Sequence, residues 1–139
     1  THQTIDQDGW LHTGDLGKMD ERGYIEISGR VKEMIIRGGE NHFPIEIENV
    51  LRQHSQILDI AIVGMPDKKY GEIIAAFVKF RNKSLTSGEL KKFSRQEMSP
   101  QKTPSVWIEV ENFPLTGSGK IQKFKLIESF EKGYYKEMA

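Results

Sequence analysis

The chain contains no cysteine, which excludes a disulfide framework, a thiolate-bound zinc and a thiol nucleophile. It lacks any excess of charge of one sign. Twenty basic and twenty acidic residues cancel, so the overall field gives no support to a nucleic-acid or other polyanion binder. No apolar run approaches the roughly 20 residues that a membrane span needs. Residues 1–10 are too polar to hold the apolar core of a signal peptide. Internal repeats and low-complexity tracts are absent, and only five prolines punctuate the chain. These absences make a cytoplasmic setting the default, with peripheral membrane association and organellar targeting left open. The opening Thr1-His2-Gln3-Thr4 carries no methionine and reads as a cut end.

What is present is ordinary for one small domain, or for one domain carrying part of another: 139 residues, 37% apolar and 29% charged. The first third is rich in glycine turns, among them Asp8-Gly9, Thr13-Gly14-Asp15, Ser28-Gly29 and Gly38-Gly39. Asp20-Glu21-Arg22-Gly23 has the composition of a hairpin turn between strands at 16–19 and 24–27. A further strand is expected at 33–37. Pro44 then opens a helical pattern with Ile45, Ile47, Val50 and Leu51, and proline with acids in a first turn suits the free N–H groups and positive dipole end found there. Residues 57–65 are almost continuously apolar and read as a buried strand broken by Pro66-Asp67, with 73–80 as its antiparallel partner. Ser87-Gly88-Glu89 precedes a helix expected at 90–98, with Leu90, Phe93 and Met98 inward. Residues 99–104 form a proline-bounded loop, and 106–110 a third strand. A last amphipathic helix starts near Lys123, offers Phe124, Leu126, Ile127 and Phe130 to the core, and continues through Tyr134-Tyr135-Lys136-Glu137. The expected class is α+β: a small mixed sheet flanked by helices and preceded by a β-hairpin.

Three short segments could carry chemistry. Thr116-Gly117-Ser118-Gly119-Lys120 invites a phosphate-loop reading, but that loop needs a glycine where Pro114 stands and a hydroxyl residue where Ile121 stands. What remains is either a hairpin with a solvated lysine or a lysine held at a rigid turn tip for an anionic ligand. A point-charge ammonium suits a phosphoryl group whose charge rises in a transition state. Thr13-Gly14-Asp15 offers a carboxylate that could accept two hydrogen bonds from a vicinal diol, or simply cap its own turn. In Gly29-Arg30-Val31-Lys32, Arg30 can present a planar fork to oxygens, whereas Lys32 in isolation is a surface charge. His2, His12, His42 and His54 show no metal-ligand spacing, so no metal ligand is assigned. Lys68-Lys69, Lys91-Lys92 and the lysines at 123 and 125 read as solvated faces. Trp10 and Trp107 read as packing residues.

In order, the motifs become specific. Asp8-Gly9-Trp10-Leu11-His12-Thr13-Gly14-Asp15-Leu16 is followed by Gly29-Arg30-Val31-Lys32-Glu33-Met34-Ile35-Ile36-Arg37-Gly38-Gly39-Glu40-Asn41, then by Pro44-Ile45-Glu46-Ile47-Glu48. Pro114-Leu115-Thr116-Gly117-Ser118-Gly119-Lys120-Ile121 closes the set. This sequence resembles the C-terminal part of the adenylate-forming enzymes, the AMP-dependent synthetases and ligases. Its Gly-Gly-Glu-Asn form is most similar to the medium- and long-chain fatty acyl-CoA synthetases. The resemblance covers essentially the whole chain. It implies that residues 1–30 are the tail of a large adenylating domain and 31–139 its mobile C-terminal domain.

The implied roles follow residue by residue. Asp15 and Arg30 resemble the ribose-binding pair for ATP or AMP. Lys32 resembles the hinge residue, and Lys120 the lysine that contacts the α-phosphate and acyl carboxylate. Gly38, Gly39 and Glu40 lie in the loop that lines the CoA channel after rotation. The implied reaction joins a carboxylate to ATP, giving acyl-adenylate and pyrophosphate, and then lets the CoA thiol displace AMP. Magnesium would enter with ATP, with no ligand from this chain. The implied partners are the large adenylating domain in cis, a fatty acid and CoA, without which the fragment is expected to be inactive. An aryl- or amino-acid-activating ligase and a non-catalytic interaction module are the competing readings.

Overall fold

A computed structural model of the chain describes residues 15–19, 21–22, 25–30 and 33–138. Strands β1 (Asp15–Met19) and β2 (Ile25–Arg30) pair antiparallel, with a register shift between Leu16 and Gly17. They form the expected hairpin. Next, β3 (Ile35–Arg37) and β4 (Glu40–His42) form a second, shorter one. Helix α1 (Pro44–Leu51) leads into β5 (Ile57–Asp67) and β6 (Gly71–Phe80), which pair antiparallel along nearly their whole length. Helix α2 (Ser87–Glu97) and a short 3-10 turn (Pro100–Lys102) return the chain to β7 (Val106–Glu109), which lies parallel to β6. Helix α3 (Lys123–Glu131) follows. The main sheet therefore has the order β5-β6-β7 and is mixed, as the α+β reading expects.

The near-continuous apolar runs have a structural cause. Successive strand residues face opposite sides, and here both sides are covered. Ile60, Ile62, Ile74, Ala76, Val78 and Trp107 face one core with residues of α1, α2 and β3. Ala61, Val63, Met65, Ala75, Phe77 and Ile108 face the other with Leu126 of α3. Each large apolar side chain removed from water contributes about 1.5–3 kcal/mol, so the two faces together hold the helices to the sheet. Trp107 is a packing residue at 1% exposure. Trp10 lies outside the described residues.

The structure departs from the sequence expectation at several places. Pro66-Asp67 does not end β5, which pairs on through Pro66↔Glu72 to Asp67↔Gly71. β5 is an edge strand, where a missing N–H can face away from the ladder. Asp67 then closes the turn, its Oδ2 accepting from the N–H groups of Lys69 and Tyr70 at 3.0 and 2.8 Å. β4 is an additional strand. α2 starts earlier than position 90: Thr86 is its N-cap and accepts from the Glu89 N–H at 3.1 Å. α3 stops at Glu131 rather than running to Glu137. Beyond it Gly133 adopts a φ of 85°, and the tail turns back so that Glu137 bridges Ile108 and the Met138 N–H donates to the Trp107 carbonyl at 2.7 Å. Phe124 is 63% exposed and outside the core, whereas Leu126 is buried.

Candidate functional site

The Thr116–Lys120 segment is a closed turn. The Thr116 N–H donates to the Lys120 carbonyl at 2.8 Å, and the Gly119 N–H donates to the Thr116 carbonyl at 3.0 Å. The Lys120 N–H reaches the Thr116 hydroxyl at 3.1 Å, which lies 3.0 Å from the Ser118 hydroxyl. Gly119 sits at a φ of 87°, a left-handed conformation that a side chain would strain. Just outside the turn, Leu115 and Ile121 bridge, and the Gln122 N–H donates to the Pro114 carbonyl at 2.8 Å. The result is a stiff tip with an exposed lysine.

Lys120 lines an open groove of about 760 Å³. The opposite walls come from Glu33 to Ile35, from Ile62 to Gly64 of β5, and from Glu72 of β6. Gly64 has a packing reason to be glycine, since a Cβ there would run into the Glu72 carboxylate and stand 3.2 Å from Ile35. Glu72 in turn accepts from the Ile36 N–H at 3.4 Å. The groove therefore mixes cations, carboxylates and apolar side chains.

Gly38 and Gly39 do not line that groove. They are the two loop residues between β3 and β4, with φ of 56° and 83°. Positive φ at both positions is the geometry of the hairpin turn whose twist matches its strands. The tip is fastened to the β5–β6 turn: the Gly38 N–H donates to the Tyr70 carbonyl at 2.9 Å. The Arg37 guanidinium lies 4.4 Å, and the Lys69 ammonium 5.1 Å, from the centre of the Tyr70 ring. Glu40 is exposed at the start of β4 and lies 3.7 Å from His42 Nε2.

Asp15 and Arg30 occupy opposite positions at the open end of the β1–β2 hairpin, as Cα partners across the ladder. The backbone thus brings together two residues 15 apart in sequence. Lys32 and the expected boundary between residues 30 and 31 meet the undescribed positions 31 and 32, and the Thr13-Gly14 portion of the first motif also lies outside the described residues. No group of three or more His, Asp or Glu side chains among the described residues is arranged to hold a metal ion.

Three acidic residues and one lysine of this region have no role implied by the sequence, although Glu33 and Glu48 lie inside the motif segments. Glu48, on the inward face of α1, is buried. Its carboxylate accepts from the Ile62 N–H at 2.9 Å and lies 3.0 Å from the Lys123 ammonium. Lys123 also lies 3.4 Å from Glu33 and so is not the solvated charge its sequence neighbourhood suggests. Glu72 completes the set. A readable sign did exist for Glu48, which shares the i, i+3, i+4 stripe of Pro44, Ile47 and Leu51.

Against known proteins, the AMP-binding enzyme C-terminal domain matches residues 46–120, more than half of the chain. The chain belongs to this family. YngI of Bacillus subtilis (strain 168), provisionally named an acyl-CoA synthetase, is 50% identical over 129 residues, which is 92% of this chain and 24% of YngI. The mitochondrial medium-chain acyl-CoA ligase ACSF2 of Rattus norvegicus is 44% identical over 133 residues, 95% of this chain and 22% of that protein. Among solved structures, the ATP-bound RpMatB-BxBclM chimera B1 superposes with a TM-score of 0.86 at 36% identity, covering 96% of this chain and 27% of the chimera. This AMP-binding C-terminal domain thus spans about a quarter of the length of the proteins it matches. Among its described residues no helix is long and apolar enough to cross a membrane.

Proposed function

We propose that this chain serves as the mobile C-terminal domain, with the last strands of the preceding domain, of an AMP-forming acyl-CoA synthetase acting on fatty acids. Residues 1–30 belong to the large adenylating domain and 31–139 to the mobile one, with Lys32 as the hinge. In the first half-reaction a carboxylate oxygen of the acid attacks the α-phosphorus of ATP, and the bond to pyrophosphate breaks. In the second, the CoA sulfur attacks the acyl carbon, the carbon–oxygen bond to the phosphate breaks, and AMP leaves with the electron pair.

Lys120 is the catalytic residue of the first step: its ammonium binds the α-phosphate and the incoming carboxylate as charge accumulates between them. Asp15 and Arg30 hold the ribose. Gly38, Gly39 and Glu40 line the path of the CoA arm in the second step, the glycines allowing close approach of the backbone. Magnesium travels on the ATP phosphates. The closed turn that presents an exposed Lys120 beside a groove carries this reading. Its separation from the Gly38-Gly39 tip supports two different surfaces used in turn, as hinge closure permits. The ATP-bound neighbour and the acyl-CoA ligase relative support the nucleotide and the thiol acceptor. A cytoplasmic setting is proposed, and the mitochondrial relative keeps an organellar one open.

The test uses the full-length enzyme with Lys120→Ala. Acid-dependent ATP–pyrophosphate exchange is expected to fall by at least about 100-fold, while thioester formation from preformed acyl-adenylate stays within several-fold of wild type. Equal activity in both assays would make the turn structural and overturn the assignment.

A further inference from the structure

Lys123 stands where local helix physics would not put it. As the first residue of α3 it meets unpaired N–H groups and the positive end of the helix dipole, both unfavourable for a cation. The first turn holds no acid to offset it, and the Gln122 side chain supplies no cap. Yet the Lys123 side chain is only 19% exposed, with two carboxylates around its ammonium: Glu48 at 3.0 Å and Glu33 at 3.4 Å. Glu48 is 9% exposed and is itself oriented by the Ile62 N–H. One charge cluster therefore joins four parts of the chain: α3, α1, β5, and Glu33 directly after positions 31 and 32.

Stability alone is a weak reason for such a cluster. Desolvating the charges costs much of what their attraction returns, and apolar side chains of similar size often serve a core as well. What a hydrogen-bonded ion pair adds over apolar packing is a fixed position. Little slack separates Lys123 from Lys120, because both intervening residues are held: Ile121 bridges Leu115, and Gln122 bonds to Pro114.

We propose that Lys123, gripped by Glu48 and Glu33, is the positioning residue that ties the Lys120 turn to the segment where the mobile domain begins, so that rotation at the hinge carries the Lys120 ammonium to the reacting phosphate as part of one rigid unit. This rests on the reading of Lys120 and Lys32 given above. The cluster touches no substrate. It acts by setting where Lys120 arrives.

The experiment measures both half-reactions in the full-length enzyme for Lys123→Met, Lys123→Arg, Glu48→Gln and Lys120→Ala, with thermal unfolding of each. A misplacement of the catalytic group can cost about 100-fold, and a loss of that order in the kcat of exchange is expected for Lys123→Met. KM for ATP and thioester formation from preformed acyl-adenylate should change little. Lys123→Arg should restore most of the exchange, and Glu48→Gln, which keeps the shape and a hydrogen bond, should show the same selective loss at smaller size. An equal fall in both half-reactions, or wild-type exchange in Lys123→Met and Glu48→Gln alongside an inactive Lys120→Ala, would overturn the proposal while leaving the role of Lys120 standing. Wild-type exchange in Lys120→Ala would overturn the reading of the turn, and this inference with it.

Discussion

His42 is a titratable side chain held where a charge is costly. It is 5% exposed, and neither ring nitrogen has a hydrogen-bond partner in the structure. Burial lowers its pKa from the ordinary value of 6.5; Lys102 and Arg37 push the same way, against Glu40 and Glu46. The unfolded chain therefore takes up this proton first as pH falls. The contribution of His42 to stability is full above the unfolded value, and is lost between that value and the lower folded one. We expect the urea midpoint to drop between about pH 7.5 and pH 5.5, with a shallower drop in His42→Leu, which removes two unpaired polar atoms and should be neutral or stabilising at neutral pH. Identical slopes for the two proteins would refute this. At the residue scale, Lys120, Asp15, Arg30 and the paired glycines are legible in the sequence because each sits in a short motif. The pairings of Glu48, Glu72 and Lys123 are not, because their partners lie 14 to 90 positions away.

The elements formed wherever the local signal and the packing agreed. Pro44 starts α1 without any side-chain cap, as its fixed φ and missing N–H allow. For α2 the stop-and-start signal is ambiguous: Ser87-Gly88-Glu89 looks like a cap, but Thr86 performs that role and the helix includes all three. Thr86→Ala should therefore cost about 1 kcal/mol in chemical unfolding, and Thr86→Ser much less; an unchanged midpoint for the alanine variant would show that the cap contributes nothing. β4 is invisible to periodicity because Glu40-Asn41-His42 has no apolar alternation. It exists because the Gly38-Gly39 turn folds it onto β3 in register, Arg37 opposite Glu40. The end of α3 could have been read from Gly133, whose left-handed conformation is the usual C-terminal stop. The aromatic pair that follows, Tyr134-Tyr135, suggests continued helix, but Tyr135 instead packs edge-on to Phe77 with ring centres 5.9 Å apart.

At the scale of the whole molecule, a three-stranded sheet carries helices on both faces, with the Lys120 turn between β7 and α3 and the Gly38-Gly39 turn in the separate β3–β4 hairpin. Among the described residues the groove beside Lys120 is open and does not reach the Gly38-Gly39 turn. The chain alone, given fatty acid, ATP and CoA, is expected to form no acyl-CoA at a rate approaching that of the full-length enzyme; comparable turnover by the isolated chain would refute the proposed division of labour between domains. By itself the sequence determined the α+β class, the mixed sheet's three strands, the family, and the motif residues. Those features rest on interactions within a few positions, on apolar runs that survive any detail of packing, and on motifs whose order is read directly. Only the tertiary structure decided that Pro66 stays in an edge strand, that the C-terminal tail returns to β7, and that Lys123 is gripped between Glu48 and Glu33 instead of facing water. Each of these depends on which distant surface is left uncovered once the sheet has formed, and local composition carries no record of that.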